Sequence, residues 1–190
     1  MFKQQFFPTN IYEKDIKIDN QSLANNIINW SKQEKGLVKT NVNGWHSPDN
    51  LNTKPEYQEL IDQLYIMQEE IYKEEFIDRK PKLGNMWANV NYPGSWNRPH
   101  IHSNSLYSGV YYIKTQPESG NLVVYDPRPQ FMKPTLKNEE LPLDLWKEAQ
   151  YRPVEGRLIM FNSWLLHGVE INKSNDTRIS ISFNFLQEGF

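Results

Sequence analysis

The chain has 190 residues and no cysteine, which excludes disulfide frameworks, thiolate zinc sites and cysteine nucleophiles. Only 38% of the residues are hydrophobic, but six Trp, ten Tyr and nine Phe supply enough apolar area for a substantial core. The net charge of −2, without a Lys/Arg run, provides no electrostatic footprint for nucleic acid or for a membrane surface. We therefore expect one domain over residues 1–190 whose partner is a small molecule or another protein.

The N-terminal segment is predicted to be an extended arm over residues 2–18, with two short strands broken at Pro8. It lacks the apolar core of a signal peptide, and no run in the chain approaches the length that spans a membrane. We expect a soluble cytoplasmic protein from these absences, and the sequence leaves its oligomeric state open. A helix is predicted from Ser22 to Lys35, where apolar residues form a helical stripe that ends at Gly36.

A second helix is predicted from Pro55 to Ile77, because apolar residues recur there at intervals of three and four. Pro55 suits the first turn of a helix. The preceding residues 40–50 are rich in turn formers and predict an ordered loop. Residues 1–80 are thus expected to supply an arm and two supporting helices for a core formed by residues 81–190.

Residues 81–190 have the texture of β structure, with short apolar or alternating runs between Gly, Pro, Asn and Asp turns. The insertion from Asp126 to Arg152 is rich in proline and is predicted to hold one short helix at Leu143–Ala149. We expect a mainly β antiparallel sandwich or barrel on which the two helices pack. The predicted strands are Leu83–Tyr92, Leu106–Lys114, Asn121–Tyr125, Arg157–Phe161 and Arg178–Leu186.

Two of the four histidines, His100 and His102, are separated by one residue in the stretch PHIHSNSLYSG. Residues i and i+2 of a strand point to the same face, so both imidazoles can enter one cavity. His167 follows a predicted strand and a short turn, where it can supply a third ligand. Three neutral imidazoles suit Fe(II), Zn or Cu. The pattern favours a metal site over simple packing for these three, whereas packing is the role assigned to His46.

The last predicted strand, RISISFNF, alternates polar and apolar residues over all eight positions. Arg178, Ser180, Ser182 and Asn184 share its polar face. A solvated outer face would explain that pattern. If the same face instead lies near a metal, Arg178 and Ser180 form a carboxylate clamp made of a guanidinium fork and a hydroxyl donor.

Four stretches together resemble the 2-oxoglutarate- and Fe(II)-dependent oxygenases, and more narrowly the group of such enzymes found in marine bacteria and their phages. The resemblance covers residues 83–187 and implies a double-stranded β-helix, or jelly-roll, fold. It implies an enzyme that uses Fe(II), 2-oxoglutarate and O2 to hydroxylate a small-molecule or peptide substrate, with release of succinate and CO2. A phage-encoded member would act in the host cytoplasm. The stretches are NMWANVNYPGSWNRPHIHSNSLYSGVYYI, SGNLVVYDPRP, GRLIMFNSWLLHGV and TRISISFNF.

The resemblance also assigns roles to individual positions. His100 matches the first metal ligand of the family and His167 the distal ligand. Arg178 and Ser180 match the clamp for the 2-oxoglutarate carboxylate, and we expect Asn89 to point towards the same cosubstrate.

His102 departs from the family pattern, because the usual facial triad has an Asp or Glu at that position. Two options follow. All three histidines bind iron, which leaves the site more positive, or only two bind and a water or a nearby group such as Asp126 completes the shell. Asp126 precedes Pro127 and Arg128, so an ion pair or a turn cap is the role expected for it.

Other polar residues are weaker candidates. One phenol among Tyr107, Tyr111 and Tyr112 could donate to the 2-oxoglutarate carboxylate, although packing is the commoner role of such residues. Lys114 is an alternative partner for the distal carboxylate. The segment Trp96–Arg98 and the insertion at 126–152 are expected to flank the mouth of the site, where substrate is selected.

Two alternative functions remain open from the sequence. The first is a cupin-like three-histidine metal enzyme that does not use 2-oxoglutarate, against which the Arg178/Ser180 pair argues. The second is a non-catalytic jelly roll, a binding or structural module whose histidines only pack.

Overall fold

The computed structural model describes Met1, Phe2, Gln4 and residues 6–128 and 146–186. Within that part of the chain the helices are α1 (Asn20–Gln33) and α2 (Gln58–Glu74), with 3-10 turns at Leu51–Thr53 and Pro55–Tyr57. The strands are β1 (Ile11–Asp15), β2 (Asn41–Val42), β3 (Trp45–His46), β4 (Leu83–Asn91), β5 (Trp96–His100), β6 (Ser105–Lys114), β7 (Leu122–Tyr125), β8 (Glu148–Tyr151), β9 (Arg157–Asn162), β10 (His167–Val169) and β11 (Arg178–Leu186).

Both helices lie where the sequence pattern predicts them, with ends that differ by up to three residues. Helix α1 begins earlier than expected because the Asp19 side chain accepts a hydrogen bond from the Ser22 amide at 3.0 Å, which caps the first turn. Helix α2 begins at Gln58, because Pro55–Tyr57 forms a 3-10 turn ahead of it. In the described part of the chain, no helix is long and apolar enough to cross a membrane.

The strands form two antiparallel sheets. The larger has the order β1-β9-β6-β11-β4-β3 and the smaller the order β2-β5-β10-β7-β8. Side chains from strands of both sheets meet in a small apolar cluster around Tyr112, Leu122 and Phe161. The chain is therefore mainly β, with two sheets packed face to face.

On strands β4 and β11, apolar and polar side chains point to opposite faces of the larger sheet. Their apolar side chains join the buried faces of α1 and α2 in the main core, where Tyr65 of α2 packs edge-on against Phe185. Their polar side chains face the smaller sheet. The buried apolar residues that these two strands contribute to the core on the helix side are Leu83, Met86, Ala88, Val90, Ile179, Ile181, Phe183 and Phe185.

Three local predictions require correction. The predicted helix at Leu143–Ala149 is wrong in its described part, because Glu148–Tyr151 is strand β8 and pairs with β7. Pairing with β7 provides backbone hydrogen bonds that outweigh the weak helical preference of this segment. Residues 143–145 lie outside the described part of the chain. The described residues of the arm contain one strand, β1, rather than two. The loop at 40–50 contains the short strands β2 and β3.

Candidate metal centre

A cavity of about 280 Å³ lies between the two sheets. Its wall contains the main candidates for metal and cosubstrate binding, as well as residues that the sequence assigns elsewhere. The predicted residues that line it are Asn89, His100, His102, His167, Arg178 and Ser180.

One wall of the cavity is formed by residues that lie opposite one another on the adjacent strands β4, β11 and β6. Arg178 pairs with Asn91 at one end, and Asn184 pairs with Asn85 and Ser108 at the other. The polar face of β11 is therefore buried rather than solvated, since Arg178, Ser180 and Asn184 are each at most 4% exposed. The residues that lie opposite one another between these two ends are Asn89–Ser180–Tyr112 and Trp87–Ser182–Val110.

The three predicted histidines converge at the smaller sheet. His100 ends β5 and pairs directly with His167 at the start of β10, so their side chains share one face. His102 follows β5, where its amide donates to the Ser163 carbonyl at 3.0 Å. One ligand atom from each imidazole lies within 4.8 Å of the others, and the Nε2 atoms of His102 and His167 are 3.2 Å apart.

Main-chain carbonyls orient two of the three rings. Nδ1 of His100 donates to the Arg98 carbonyl at 2.7 Å, and Nδ1 of His167 donates to the Leu165 carbonyl at 2.8 Å. A carbonyl oxygen can only accept, so each Nδ1 carries the proton and each Nε2 keeps a free lone pair. This is the tautomer that a metal-binding imidazole needs.

Burial keeps the three imidazoles neutral. Burial, with a smaller contribution from the neighbouring His100, lowers the pKa of His102 to about 4 and that of His167 to about 3. Burial lowers the pKa of His100 as well. All three rings are therefore uncharged at neutral pH and can donate lone pairs to a cation. The donor set fits a divalent transition metal.

Arg178 provides a buried positive charge in the same cavity. Its side chain is 1% exposed, and its Nη1 donates to the carbonyls of Ser119 and Gly120 at 3.0 and 2.6 Å. Gly120 has a positive φ of 93°, and a Cβ there would collide with the Glu170 carbonyl, so this approach to Arg178 requires glycine.

Among the described residues, Nη1 is the only guanidinium nitrogen of Arg178 that has a hydrogen-bond partner. Nε is buried without a hydrogen-bond partner, and no carboxylate in the described part of the chain pairs with Arg178. Burial lowers the pKa of this guanidinium below its ordinary value. A buried cation without a counter-charge is costly, so this end of the cavity favours an anionic ligand.

Only one of the three candidate tyrosines faces the cavity. Tyr112 lies in its wall beside Ser180. The other two point to the helix side of the sheet, where the Tyr107 hydroxyl bonds to Glu75 and the Tyr111 hydroxyl bonds to Asn20 at 2.7 Å.

Two weaker candidates are occupied elsewhere. Lys114 forms an ion pair with Asp176 at 2.7 Å and does not line the cavity. Asp126 caps the Arg128 amide at 2.9 Å and pairs with its guanidinium at 3.0 Å, which confirms the expected role of this carboxylate. Asp126 is not part of the histidine cluster. Of the expected mouth segments, Asn97 lines the cavity, whereas most of the insertion lies outside the described residues.

His46 belongs to the cavity, although the sequence assigns it to packing. Its ring stacks on Trp87 with 5.5 Å between centroids and a 9° angle between planes. Nδ1 donates to the Ser47 carbonyl at 2.6 Å, so Nε2 is an acceptor, and it has no protein partner in the described part of the chain. Burial lowers the pKa of His46, which keeps the ring neutral. Only the pairing of β3 with β4 brings this residue to the cavity, and that contact is not visible in the sequence.

A comparison with protein families finds one match that covers just over half of the chain. The family model, described as "Putative 2OG-Fe(II) oxygenase", matches residues 85–184, a range that contains all three histidines of the cluster and Arg178. No curated protein matches the sequence.

Solved structures of the same fold cover almost the whole chain. A prolyl-4-hydroxylase from Pseudomonas putida is 18% identical, with a TM-score of 0.63 over 95% of this chain and 94% of that one. HygX from Streptomyces hygroscopicus, solved with nickel and 2-oxoglutarate bound, is 12% identical, with a TM-score of 0.66 over 96% and 84% of the two chains. A prolyl hydroxylase from Trichoplax adhaerens, in complex with a hypoxia inducible factor peptide, is 12% identical, with a TM-score of 0.64 over 93% and 83%. At these identities the likeness shows the jelly-roll-like fold alone.

Proposed function

Since the chain belongs to the 2OG-Fe(II) oxygenase family, we propose that it hydroxylates a small molecule or a peptide side chain and releases succinate and CO2. It is a 2-oxoglutarate-dependent oxygenase whose cofactors are Fe(II) and 2-oxoglutarate. One observation carries the proposal: a single cavity contains a cluster of three neutral imidazoles and a buried guanidinium without a carboxylate partner among the described residues.

In this proposal His100, His102 and His167 hold Fe(II) through their Nε2 atoms. When bound, iron and 2-oxoglutarate together activate O2, placing one oxygen atom in succinate and the other in the substrate. The protein contributes position and charge. Three neutral ligands leave the full +2 charge of the metal in place, whereas a triad with an acid would reduce it by one.

Arg178 binds the distal carboxylate of 2-oxoglutarate, with Ser180 and Tyr112 as hydroxyl donors beside it. All three line the cavity, where the guanidinium of Arg178 can donate to a carboxylate. Asn89 donates to Ser182 at 3.1 Å and leaves its carboxamide oxygen at the cavity wall, next to the space proposed for the cosubstrate. The two negative charges of 2-oxoglutarate balance much of the charge of iron and Arg178.

The substrate enters beside His46 and Trp87. The unpartnered Nε2 of His46 is a hydrogen-bond acceptor, so it suits a substrate that presents an N–H or O–H group near the carbon to be oxidised. The cavity volume lies at the lower end of the range for ligand sites, which suits a small molecule or a single side chain. Prolyl hydroxylases among the structures of the same fold act as precedents for a side chain of a peptide.

The support of a catalytic core at residues 81–190 by the helices of residues 1–80 stays a prediction. The cytoplasmic location and the marine bacterial or phage origin also stay predictions.

An anaerobic titration tests the cofactor roles. Adding 2-oxoglutarate to Fe(II)-loaded protein is expected to produce a weak visible charge-transfer band. Metal binding without the band would favour the cupin-like enzyme, and a failure to retain metal would favour a structural module. Substrate class is then tested by measuring succinate formation against free amino acids, peptides and nucleotides, with stimulation above the substrate-free rate as the expected result.

A further inference from the structure

His102 is oriented differently from the other two histidines of the cluster. In the described part of the chain its Nδ1 has no hydrogen bond to a main-chain carbonyl, and the contact it makes is with the side-chain amide of Asn184, whose Nδ2 lies 3.4 Å away. The same ring points its Nε2 at His167. His102 is therefore the one member of the cluster whose tautomer depends on another side chain.

Asn184 is held on both sides by polar groups. Its Oδ1 accepts from the Ser108 hydroxyl at 2.7 Å, and Ser108 is also 2.7 Å from the Ser163 hydroxyl. Its Nδ2 donates to Oδ1 of Asn85 at 2.8 Å, and Asn85 in turn donates to the exposed carboxylate of Asp49 at 3.4 Å. Asn184 is 4% exposed, so its side chain is almost completely buried.

The Asn184 amide has two orientations with opposite consequences for His102. With Nδ2 towards the ring, Nδ1 of His102 accepts and the proton lies on Nε2, where it meets the Nε2 lone pair of His167 at 3.2 Å. In this tautomer, Nε2 cannot bind a metal. With the amide turned by 180°, Oδ1 accepts from a protonated Nδ1, and Nε2 keeps its lone pair for a cation.

The surroundings of Asn184 accept either orientation. The hydroxyls of Ser108 and Ser163 can reverse their donor and acceptor roles, so a turned amide can donate to Ser108. Asn85 can turn at the same time, which directs its amide N–H to Asn184 and releases the long contact with Asp49. The amides of Asn184 and Asn85 thus form a hydrogen-bonded chain that runs from His102 to Asp49 at the mouth of the cavity.

We infer that Asn184 is a positioning residue that selects the metal-binding tautomer of His102. The inference rests on the proposed ligand set, and it explains how a histidine in the usual place of an acid is held as a ligand. It also predicts that an acidic replacement preserves metal binding. Asn184→Asp places a carboxylate, which can only accept, opposite Nδ1 of His102, and it returns a negative charge to the centre.

The test is the affinity of the metal-free protein for Zn²⁺ alone, measured by competition with a chromogenic chelator at pH 7.5. Asn184→Leu is expected to weaken binding by about 10- to 100-fold, the usual effect of losing a partner of a metal-binding histidine. Asn184→Asp is expected to bind at least as tightly as the wild type. Asn25→Asp on the outer face of α1 adds the same charge away from the cavity and is expected to have no effect.

Equal Zn²⁺ affinity in the wild type and Asn184→Leu would overturn the inference, as would an Asp variant no tighter than the Leu variant. If Asn184→Leu does not fold, ¹⁵N NMR of the Zn²⁺-loaded wild type provides an independent test. The expected result is a protonated Nδ1 and a metal-bound Nε2 on His102, and the reverse assignment would overturn the inference. Loss of the 2-oxoglutarate band with this Zn²⁺ pattern intact would refute the proposed function and leave the inference standing.

Discussion

Replacing Arg178 by alanine is expected to weaken 2-oxoglutarate binding without weakening metal binding. Nη1 is committed to the carbonyls of Ser119 and Gly120, so Nη2 remains for a contact with the distal carboxylate. Truncating one partner of a buried, hydrogen-bonded charge pair costs about 2 to 5 kcal/mol. That corresponds to a loss of about 30-fold to several thousandfold in affinity.

The assay is an anaerobic titration of 2-oxoglutarate into the Fe(II)-loaded variant, followed by the charge-transfer band, with Zn²⁺ affinity measured separately. Arg178→Lys keeps the charge but not the fork and should fall between the wild type and the alanine variant. Arg157→Ala is a matched control, because Arg157 pairs with Asp15 on the far edge of the larger sheet and does not line the cavity. Equal losses of metal and 2-oxoglutarate affinity in Arg178→Ala would refute the reasoning and indicate a damaged fold.

Three further predictions concern the same cavity. His102→Ala should lower Zn²⁺ affinity by at least about 10-fold, and an unchanged affinity would remove His102 from the ligand set. Tyr112→Phe should weaken 2-oxoglutarate binding by about 1 kcal/mol, or about fivefold, the net value of one hydrogen bond; an unchanged dissociation constant would exclude the phenol as a ligand. The pKa values of His102 and His167 in the folded protein are about 4 and 3, below the ordinary value of 6.5. Below pH 6.5 the unfolded chain binds protons that the folded chain does not, so the free energy of unfolding of the metal-free protein should fall by about 1.4 kcal/mol per pH unit for each histidine, down to about pH 4. Urea unfolding between pH 7.5 and 4.5 measures this slope, and a flat profile would contradict the burial of neutral imidazoles.

The sequence pattern predicts most accurately a strand whose two faces have different environments along its whole length. Strand β11 has the predicted bounds, Arg178–Leu186, because a helix-facing core on one side and a cavity on the other impose strict alternation. Strands β4, β6, β7 and β9 differ from the predictions by one residue at an end. Strands β5 and β10 were not predicted, since each is short and is defined by its neighbours rather than by its own pattern.

Site residues that a short sequence pattern brings together could be predicted. Site residues that depend on contacts between distant segments could not. The H-x-H spacing and the R-x-S strand both place side chains on one face, so His100, His102, Arg178 and Ser180 could be proposed together. His46 reaches the cavity only because β3 adds to the edge of β4. The role inferred for Asn184 likewise depends on a contact with a residue 82 positions away in the chain, which no local pattern indicates.

The most direct test of the proposed iron and 2-oxoglutarate sites is an anaerobic crystal structure of the protein with Fe(II) and 2-oxoglutarate, with the metal located by anomalous scattering. One iron peak is expected within coordination distance of Nε2 of His100, His102 and His167, with the distal carboxylate of 2-oxoglutarate on Arg178. An iron bound by only two of these imidazoles would contradict the proposed ligand set, and a 2-oxoglutarate molecule away from Arg178 would contradict the proposed clamp.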